Sequence, residues 1–345
     1  MVERNDKGNR LSAFVAPLLV LVLLLAACGG QTPANTPETS PSPAPTENSE
    51  EQGKNGEQGQ NGGDENAMRQ VEHAMGTTPI EGTPQRVVTL YQGATDVVVA
   101  LGIQPVGVVE SWVEKPVYEY LRDDLEGVQQ LGLENQPNLE EIYKLDPDVI
   151  IASQTRHEEI YETLSQIAPT VVGEPLYDWK ATMKLVGEAL NMEAEAQRLL
   201  DDWEARVADF KEKMGDRLPI EVTITNFRAD HARIFYKGYA GLILEELGFT
   251  RPEGHDADIW GVQLTSKESI PDMNADLIFN FNSGTDTEAI QKTYEEWTSH
   301  PLWQNLDAVK NDQVYHVNEV EWNSAGGYIT ANMMLDQLYE IFELN

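Results

Sequence analysis

The sequence has only one cysteine, Cys28, and few basic residues, with 24 Lys and Arg against 58 Asp and Glu. A single cysteine excludes a disulfide within the chain. The formal net charge of −34 makes nucleic acid a poor partner, because phosphate binding needs a basic surface. An anionic ligand would need a locally basic cleft to overcome this overall charge.

Catalytic and metal-binding motifs are also lacking. The sequence has no Gly-x-Ser-x-Gly elbow, no phosphate-binding loop and no Gly-x-Gly-x-x-Gly after a strand. The six histidines stand singly at positions 73, 157, 231, 255, 300 and 316, without the spacing of a metal site. These absences predict that the protein is not an enzyme and carries no cofactor. An exported hydrolase is kept as a distant alternative, because an acid-rich chain offers carboxylate pairs by chance.

Residues 1–27 have the composition of an export signal peptide. Three basic residues precede an apolar stretch, residues 11–27, that is short for a transmembrane helix. Leu25-Ala26-Ala27-Cys28 resembles the lipobox of bacterial lipoproteins, which implies that Cys28 is lipidated. Residues 30–66 contain no aromatic residue and no Val, Ile, Leu or Met, so we predict a disordered tether over residues 28–67.

The remainder of the chain alternates between strand and helix patterns. Short β-branched runs occur at 86–90, 105–109, 148–152 and 170–172, with helical spacing at 93–101 and 139–145. This alternation predicts a parallel sheet in an N-terminal α/β lobe, residues 68–178. Strand patterns resume at 221–225, 277–281 and 314–317, which predicts a C-terminal α/β lobe, residues 218–345.

A long helical pattern separates the two lobes. Residues 179–217 form the predicted connecting segment, and one apolar face within 192–214 comprises Leu199, Leu200, Trp203, Val207 and Phe210. The predicted fold is therefore α/β, with two Rossmann-like lobes joined by a single long backbone helix. Ligands of open α/β sheets bind beyond the carboxyl ends of the strands, so we expect a cleft between the lobes.

Motifs in both halves resemble the iron-siderophore class of ABC-importer binding proteins. The similar segments are 73–80, 84–90, 100–107, 137–142 and 145–151 in the first half, and 226–233, 247–252, 264–271 and 322–327 in the second. The second group resembles the Gram-positive branch that takes up hydroxamate and citrate-hydroxamate siderophores. The resemblance implies the helical-backbone (class III) fold and delivery of a ligand to an ABC permease and its ATPase. It also implies a monomer that the lipid holds at the outer face of the cytoplasmic membrane.

The resemblance implies a ferric siderophore of the hydroxamate or citrate-hydroxamate (schizokinen-like) type, which supplies the iron ligands itself. Such a chelate needs guanidinium donors and aromatic walls rather than metal-coordinating side chains. Arg228 and Arg233 follow the strand at 221–225, and the family places a ligand-contacting tryptophan at Trp322. Further candidates follow other strands or lie near the arginines: Tyr91, Trp112, Arg156, His157, His231, Tyr236, Tyr239 and Trp260. Pairing of an arginine with Asp230, and packing of an aromatic side chain in the core, are the structural alternatives.

Two glutamates, Glu140 and Glu268, resemble the pair, one on each lobe, that docks into arginine pockets of the permease. Taken alone, each is an acid at a helix start, where the helix dipole favours it. Cobalamin, haem and ferric citrate are the alternative ligands on the same fold. A structural surface adhesin would explain the tether and the anchor but not the series of motifs.

Overall fold

The computed structural model describes residues 68–344. The predicted signal peptide (1–27), lipidation site Cys28 and tether (28–67) lie outside the described residues. The described chain begins with an antiparallel hairpin of β1 (Met68–His73) and β2 (Gly76–Glu81). The Thr78 hydroxyl donates to the Thr170 carbonyl over 2.8 Å, which fastens the hairpin to the sheet that follows. No sequence pattern predicted this hairpin.

The N-terminal sheet has six strands, in the spatial order β6-β5-β4-β3-β7-β8. They are β3 (Val87–Thr89), β4 (Gly107–Glu110), β5 (Gln129–Leu133), β6 (Gln136–Pro137), β7 (Val149–Ser153) and β8 (Thr170–Gly173). All neighbours are parallel except β5 and β6. The helices of this region are α1 (Gln92–Ala100), α2 (Leu139–Lys144), α3 (Gln154–His157) and α4 (Tyr161–Ile167).

Two helices connect the sheets, α5 (Trp179–Leu190) and α6 (Glu193–Met214). Asn191 adopts φ 59°, a left-handed conformation that ends α5 and divides the predicted segment. At 22 residues α6 is about 33 Å long. Its predicted apolar face is buried in a cluster that continues from the N-terminal sheet to the C-terminal sheet. The apolar face of α6 therefore belongs to one core shared by both sheets.

The C-terminal sheet has five strands, in the order β11-β10-β9-β12-β13. They are β9 (Val222–Phe227), β10 (Ala232–Phe235), β11 (Gly261–Leu264), β12 (Leu277–Asn282) and β13 (Val314–His316). Strands β9, β12 and β13 are parallel, whereas β10 and β11 extend the sheet as antiparallel strands. The helices are α7 (Tyr239–Glu246), α8 (Thr287–Thr298), α9 (Asp307–Lys310) and α10 (Tyr328–Ile341). The predicted fold class is confirmed.

A buried carboxylate, Asp96 on α1, joins the two halves a second time. It accepts hydrogen bonds from the backbone N–H of Ile329 over 2.8 Å and of Thr330 over 3.3 Å, at the first turn of α10. The Tyr120 hydroxyl donates to the same carboxylate over 2.7 Å. A side chain at Gly327 would overlap Asp96, because a Cβ there would lie 2.2 Å from its carboxyl carbon. Burial raises the pKa of Asp96 to about 6, although these donors oppose the shift.

None of the helices within residues 68–344 is both long enough and apolar enough to cross a membrane.

Candidate functional site

A cavity of about 630 Å³ lies between the two sheets. Its walls come from segments that follow the carboxyl ends of strands in both sheets, as expected for open α/β sheets. Trp112 follows β4, Arg156 follows β7, Arg228 follows β9 and Glu319 follows β13. The cavity therefore depends on both halves of the protein.

In the N-terminal half of the cavity, Trp112, Glu134 and Arg156 form a connected group, here called the N-terminal cluster. The Arg156 guanidinium lies 5.5 Å from the centroid of the Trp112 ring. Its Nε donates to Glu134 Oε1 over 3.2 Å. The second carboxylate oxygen accepts from the backbone N–H of Gln92 over 3.3 Å. Since Arg156 is held through Nε, its two terminal nitrogens can donate to an anionic ligand.

Glu134 is almost completely buried, with 5% of its surface exposed. Burial raises the pKa of Glu134, and the neighbouring Arg156 opposes that shift. This buried carboxylate accepts from the Gln92 N–H and from Arg156 Nε, so it fixes the position of the Arg156 guanidinium beside Trp112.

In the C-terminal half, His231, Arg233 and Trp260 form the C-terminal cluster. The Arg233 guanidinium lies 5.5 Å from the centroid of the Trp260 ring. Its Nε donates to His231 Nε2 over 3.0 Å, and His231 Nδ1 lies 2.6 Å from Asp230 Oδ1. The two halves thus present the same arginine and tryptophan arrangement, held by a carboxylate on one side and by an imidazole on the other.

A third arginine, Arg228, lines the cavity. Its Nε donates to the Oδ1 of buried Asn226 over 3.1 Å. Burial lowers the pKa of Arg228, the nearby Arg233 lowers it further, and Glu319 opposes both. Glu319 also lines the cavity and accepts from the Ser324 hydroxyl over 3.1 Å. Burial raises the pKa of Glu319.

Six of the predicted residues line the cavity: Tyr91, Trp112, Arg156, Arg228, Tyr239 and Trp260. The two tyrosines contribute little free hydroxyl surface. Tyr91 hydrogen-bonds to the Thr182 hydroxyl over 3.2 Å, and Tyr239 donates to the Gly327 carbonyl over 2.6 Å. They form walls of the cavity, whereas the arginines and tryptophans offer polar and π surfaces. Contact of all these residues with a ligand stays a prediction.

Trp322 is not part of the cavity wall, in contrast to the expectation from the resemblance. Only 1% of its surface is exposed, and its ring packs 4.5 Å from that of Phe279. Its indole N–H donates to Gln337 over 2.8 Å. The π-helical turn Val320–Ser324 directs Trp322 into the core, while Asn323 and Ser324 face the cavity.

The other predicted residues that do not line the cavity also have structural partners. His157 is 1% exposed and its Nε2 lies 2.7 Å from the Glu134 carbonyl, so it supports the N-terminal cluster from behind. Tyr236 stacks on His255 with ring centroids 4.7 Å apart. His231 and Arg233 stand behind Trp260 at the rim of the cavity rather than in its wall.

Sequence reasoning missed several cavity residues, including Glu134, Phe235, Lys237 and Glu319. Glu134 follows β5, Phe235 is the last residue of β10, and Lys237 follows β10. The sequence patterns did not identify either of these two strands. Glu319 could have been found, because it follows the predicted strand at 314–317. The candidates predicted at the ends of strands are arginines, histidines and aromatic residues, and they include no acid.

The two predicted docking glutamates occupy similar positions on the two halves. Glu140 begins α2, where the Asn138 side chain accepts from its backbone N–H over 3.1 Å. Glu268 begins a 3₁₀ segment, where the Ser266 hydroxyl accepts from its N–H over 3.3 Å. Both side chains are exposed, and Lys144 lies 2.8 Å from Glu140 and lowers the pKa of Glu140.

Across residues 68–344, no group of three or more His, Cys, Asp or Glu side chains is arranged to hold a metal ion.

A family profile described as periplasmic binding protein matches residues 87–320. The chain belongs to this family. It is 46% identical, over 75% of its length and 86% of the relative, to the achromobactin-binding periplasmic protein of Dickeya dadantii. It is 42% identical to the probable siderophore-binding lipoprotein YfiY of Bacillus subtilis, over 79% of this chain and 87% of the relative. The predicted family is confirmed.

Solved structures show the same likeness. The crystal structure of Staphylococcus aureus SirA complexed with staphyloferrin B is 49% identical, with a TM-score of 0.78. The match covers 80% of this chain and 99% of SirA. The family's members are substrate-binding proteins outside the cytoplasm, so the chain is assigned to that general class.

Proposed function

We propose that this protein binds a ferric siderophore in the cavity between its sheets and delivers it to an ABC permease for iron uptake. One observation carries the proposal: each of the two cavity-lining tryptophans has an arginine guanidinium 5.5 Å from its ring, Arg156 within the wall and Arg233 outside it. A ligand that occupies the cavity would meet cationic donors and an aromatic surface from both sides.

The charge distribution supports an anionic ligand. The chain has a formal net charge of −34, yet Arg156, Arg228 and Lys237 line one cavity, with Arg233 directly behind its wall. Glu134 and Glu319 also line the cavity, so three cations face two acids there, and the lining is more positive than the acidic chain as a whole. Guanidinium groups fix oxygen anions in defined directions, as an iron chelate with outward oxygens requires.

The aromatic side chains support an organic ligand rather than a small inorganic anion. Trp112 and Trp260 are 42% and 48% exposed, although large apolar side chains are usually buried. Together with Phe235 they give the cavity two apolar surfaces that a siderophore scaffold can cover. The relatives named for achromobactin and for siderophore binding, and SirA with staphyloferrin B, support the same ligand class.

Within this class we retain the hydroxamate or citrate-hydroxamate type that the sequence predicts. The test is a fluorescence titration with four ferric chelates: schizokinen, staphyloferrin B, achromobactin and citrate. We expect submicromolar quenching by at least one of them. Quenching by cobalamin or haem, with none by any ferric chelate, would contradict the proposal.

Arg156→Ala and Arg228→Ala provide the matching test of the site. Each variant removes charge-assisted hydrogen bonds to the ligand, so we expect a loss of about 2 kcal/mol, or about thirtyfold in affinity. Arg122→Ala is the control, because Arg122 is exposed and pairs only with Glu119 within the described chain. Unchanged affinity in both cavity variants would show that the ligand does not bind at the proposed site.

Delivery requires the protein to remain near its permease. We propose that lipid on Cys28 supplies the membrane anchor, since the two acyl chains of a bacterial lipoprotein give stable binding. Labelling of cells with a radioactive fatty acid should mark the wild type but not Cys28→Ser. Release of the Cys28→Ser protein into the medium, with its siderophore affinity intact, would separate anchoring from ligand binding.

A further inference from the structure

His231 stands between an acid and an arginine in the turn that joins β9 to β10. Its Nδ1 lies 2.6 Å from Asp230 Oδ1 and its Nε2 lies 3.0 Å from Arg233 Nε. The turn itself is fixed, because the His231 carbonyl accepts from the Arg228 backbone N–H over 2.9 Å. The imidazole is largely buried, with 11% of its side chain exposed.

These contacts require one protonation state of His231. An arginine is always protonated and its Nε–H can only donate, so Nε2 of His231 must accept with its lone pair. The imidazole is then neutral, and its proton is on Nδ1, where it donates to Asp230. A second proton on Nε2 would place two donors and two positive charges against each other. Protonation of His231 therefore breaks its bond to Arg233.

Arg233 is close enough to the ligand space for this break to matter. It lies on β10 two residues before Phe235, so both side chains are on the same face of the strand. Phe235 and Trp260 line the cavity, and Trp260 lies directly against the Arg233 guanidinium. An Arg233 released by His231 would also move relative to Arg228, whose pKa it already influences.

We propose that His231 is a positioning residue, which holds Arg233 against Trp260 for ligand binding only while the imidazole is neutral. This proposal rests on the proposed function. Ligand affinity then falls as the pH falls and His231 takes up a proton. In the N-terminal cluster the direct acceptor of Arg156 is the Glu134 carboxylate rather than an imidazole.

The charged groups that face His231 are one acid and two arginines. Asp230 contacts Nδ1 and is 83% exposed, Arg233 contacts Nε2, and Arg228 lies in the same turn. The packed neighbours contribute neutral groups: Gln263 of β11 is paired with Arg233 in the sheet, and Thr293 of α8 donates to the Ala229 carbonyl.

The test compares wild type with His231→Gln in titrations with ferric staphyloferrin B and ferric achromobactin, from about pH 8 to about pH 5.5. A glutamine amide can accept from Arg233 Nε but does not titrate. The affinity of the wild type should fall about tenfold relative to His231→Gln over this range, the value of one charge-assisted hydrogen bond. Protonation of the chelate itself affects both proteins equally, so it does not change the ratio of their affinities at a given pH.

A second variant and a spectroscopic measurement complete the test. Asp230→Asn keeps an oxygen acceptor for the Nδ1 proton, so its affinity at pH 8 should match that of the wild type. Nitrogen chemical shifts of the His231 ring should show a proton on Nδ1 at pH 8. An affinity ratio that stays constant with pH overturns the inference, whereas failure of the wild type to bind any ferric chelate overturns the proposed function.

Discussion

The two halves of the cavity present the same pair of side chains but support them differently. Arg156 lies on Trp112 and is held by the 5% exposed carboxylate of Glu134. Arg233 lies on Trp260 and is held by a histidine, whose own partner Asp230 is 83% exposed. The first support is internal to the fold, whereas the second lies in a surface turn. The same arginine and tryptophan pair can therefore be held by a buried carboxylate on one side and by an imidazole on the other.

Both halves depend on the junction at Asp96, and its removal should have the largest effect. Asp96→Ala leaves the N–H groups of Ile329 and Thr330 and the Tyr120 hydroxyl without their acceptor. We expect the free energy of unfolding in urea to fall by about 3 kcal/mol. Asp123→Ala is the control, because Asp123 is exposed on the same half. Equal stability of the two variants would show that the junction does not hold the halves together.

The next largest effect should come from the support of the N-terminal cluster. Glu134→Ala removes the buried acceptor of both Arg156 Nε and the Gln92 N–H, so we expect about thirtyfold weaker binding of the ferric chelate. His231→Ala should weaken binding only about fivefold at pH 8, because it frees Arg233 alone. Isothermal titration calorimetry on both variants, after circular dichroism shows native folding, measures the difference. Equal losses would contradict the asymmetry between the halves.

Part of the cavity could be predicted from the sequence, because ligands of open α/β sheets bind beyond the carboxyl ends of the strands. Strong β-branched runs marked β3, β4, β7 and β9, and the residues that follow them include Tyr91, Trp112, Arg156 and Arg228. Strands β5 and β10 have weaker patterns, with the sequences QQLGL and ARIF beside polar turns. Glu134 and Lys237 were missed for that reason, because their positions depend on pairing with distant strands.

Local geometry accounts for the remaining differences. Trp322 follows β13 at a suitable distance for the cavity, but a π-helical turn rotates it onto Phe279. Asn191 divides the predicted connecting segment through a left-handed residue, although the helical pattern continues on both sides. Neither the π-helical turn nor the left-handed residue produces a recognisable hydrophobic pattern in the sequence. Such turns are determined by tertiary packing, whereas α6 was predictable from its long apolar face.

The tryptophans allow the two halves to be measured separately. The chain has seven tryptophans. Trp112 and Trp260 are well exposed, whereas each of the other five is at most 4% exposed. Trp112→Ala and Trp260→Ala should each reduce affinity about tenfold and remove part of the quenching signal. Trp322→Phe is the control, and it should retain both affinity and quenching. Loss of ligand binding in Trp322→Phe at unchanged stability would show that Trp322 contributes to the binding site.

The smallest effect on affinity should come from the paired glutamates, where the two halves are most alike. Glu140 and Glu268 are exposed first-turn acids outside the cavity, so their joint replacement by alanine should leave solution affinity within about twofold of the wild type. Charge pairs at a docking surface instead set orientation and encounter rate. Uptake of a radioactive ferric siderophore by cells should therefore fall at least about tenfold. Glu162→Ala with Glu288→Ala is the matched control, since both are exposed first-turn acids on the two halves. Equal uptake by the two double variants would assign permease docking to other residues.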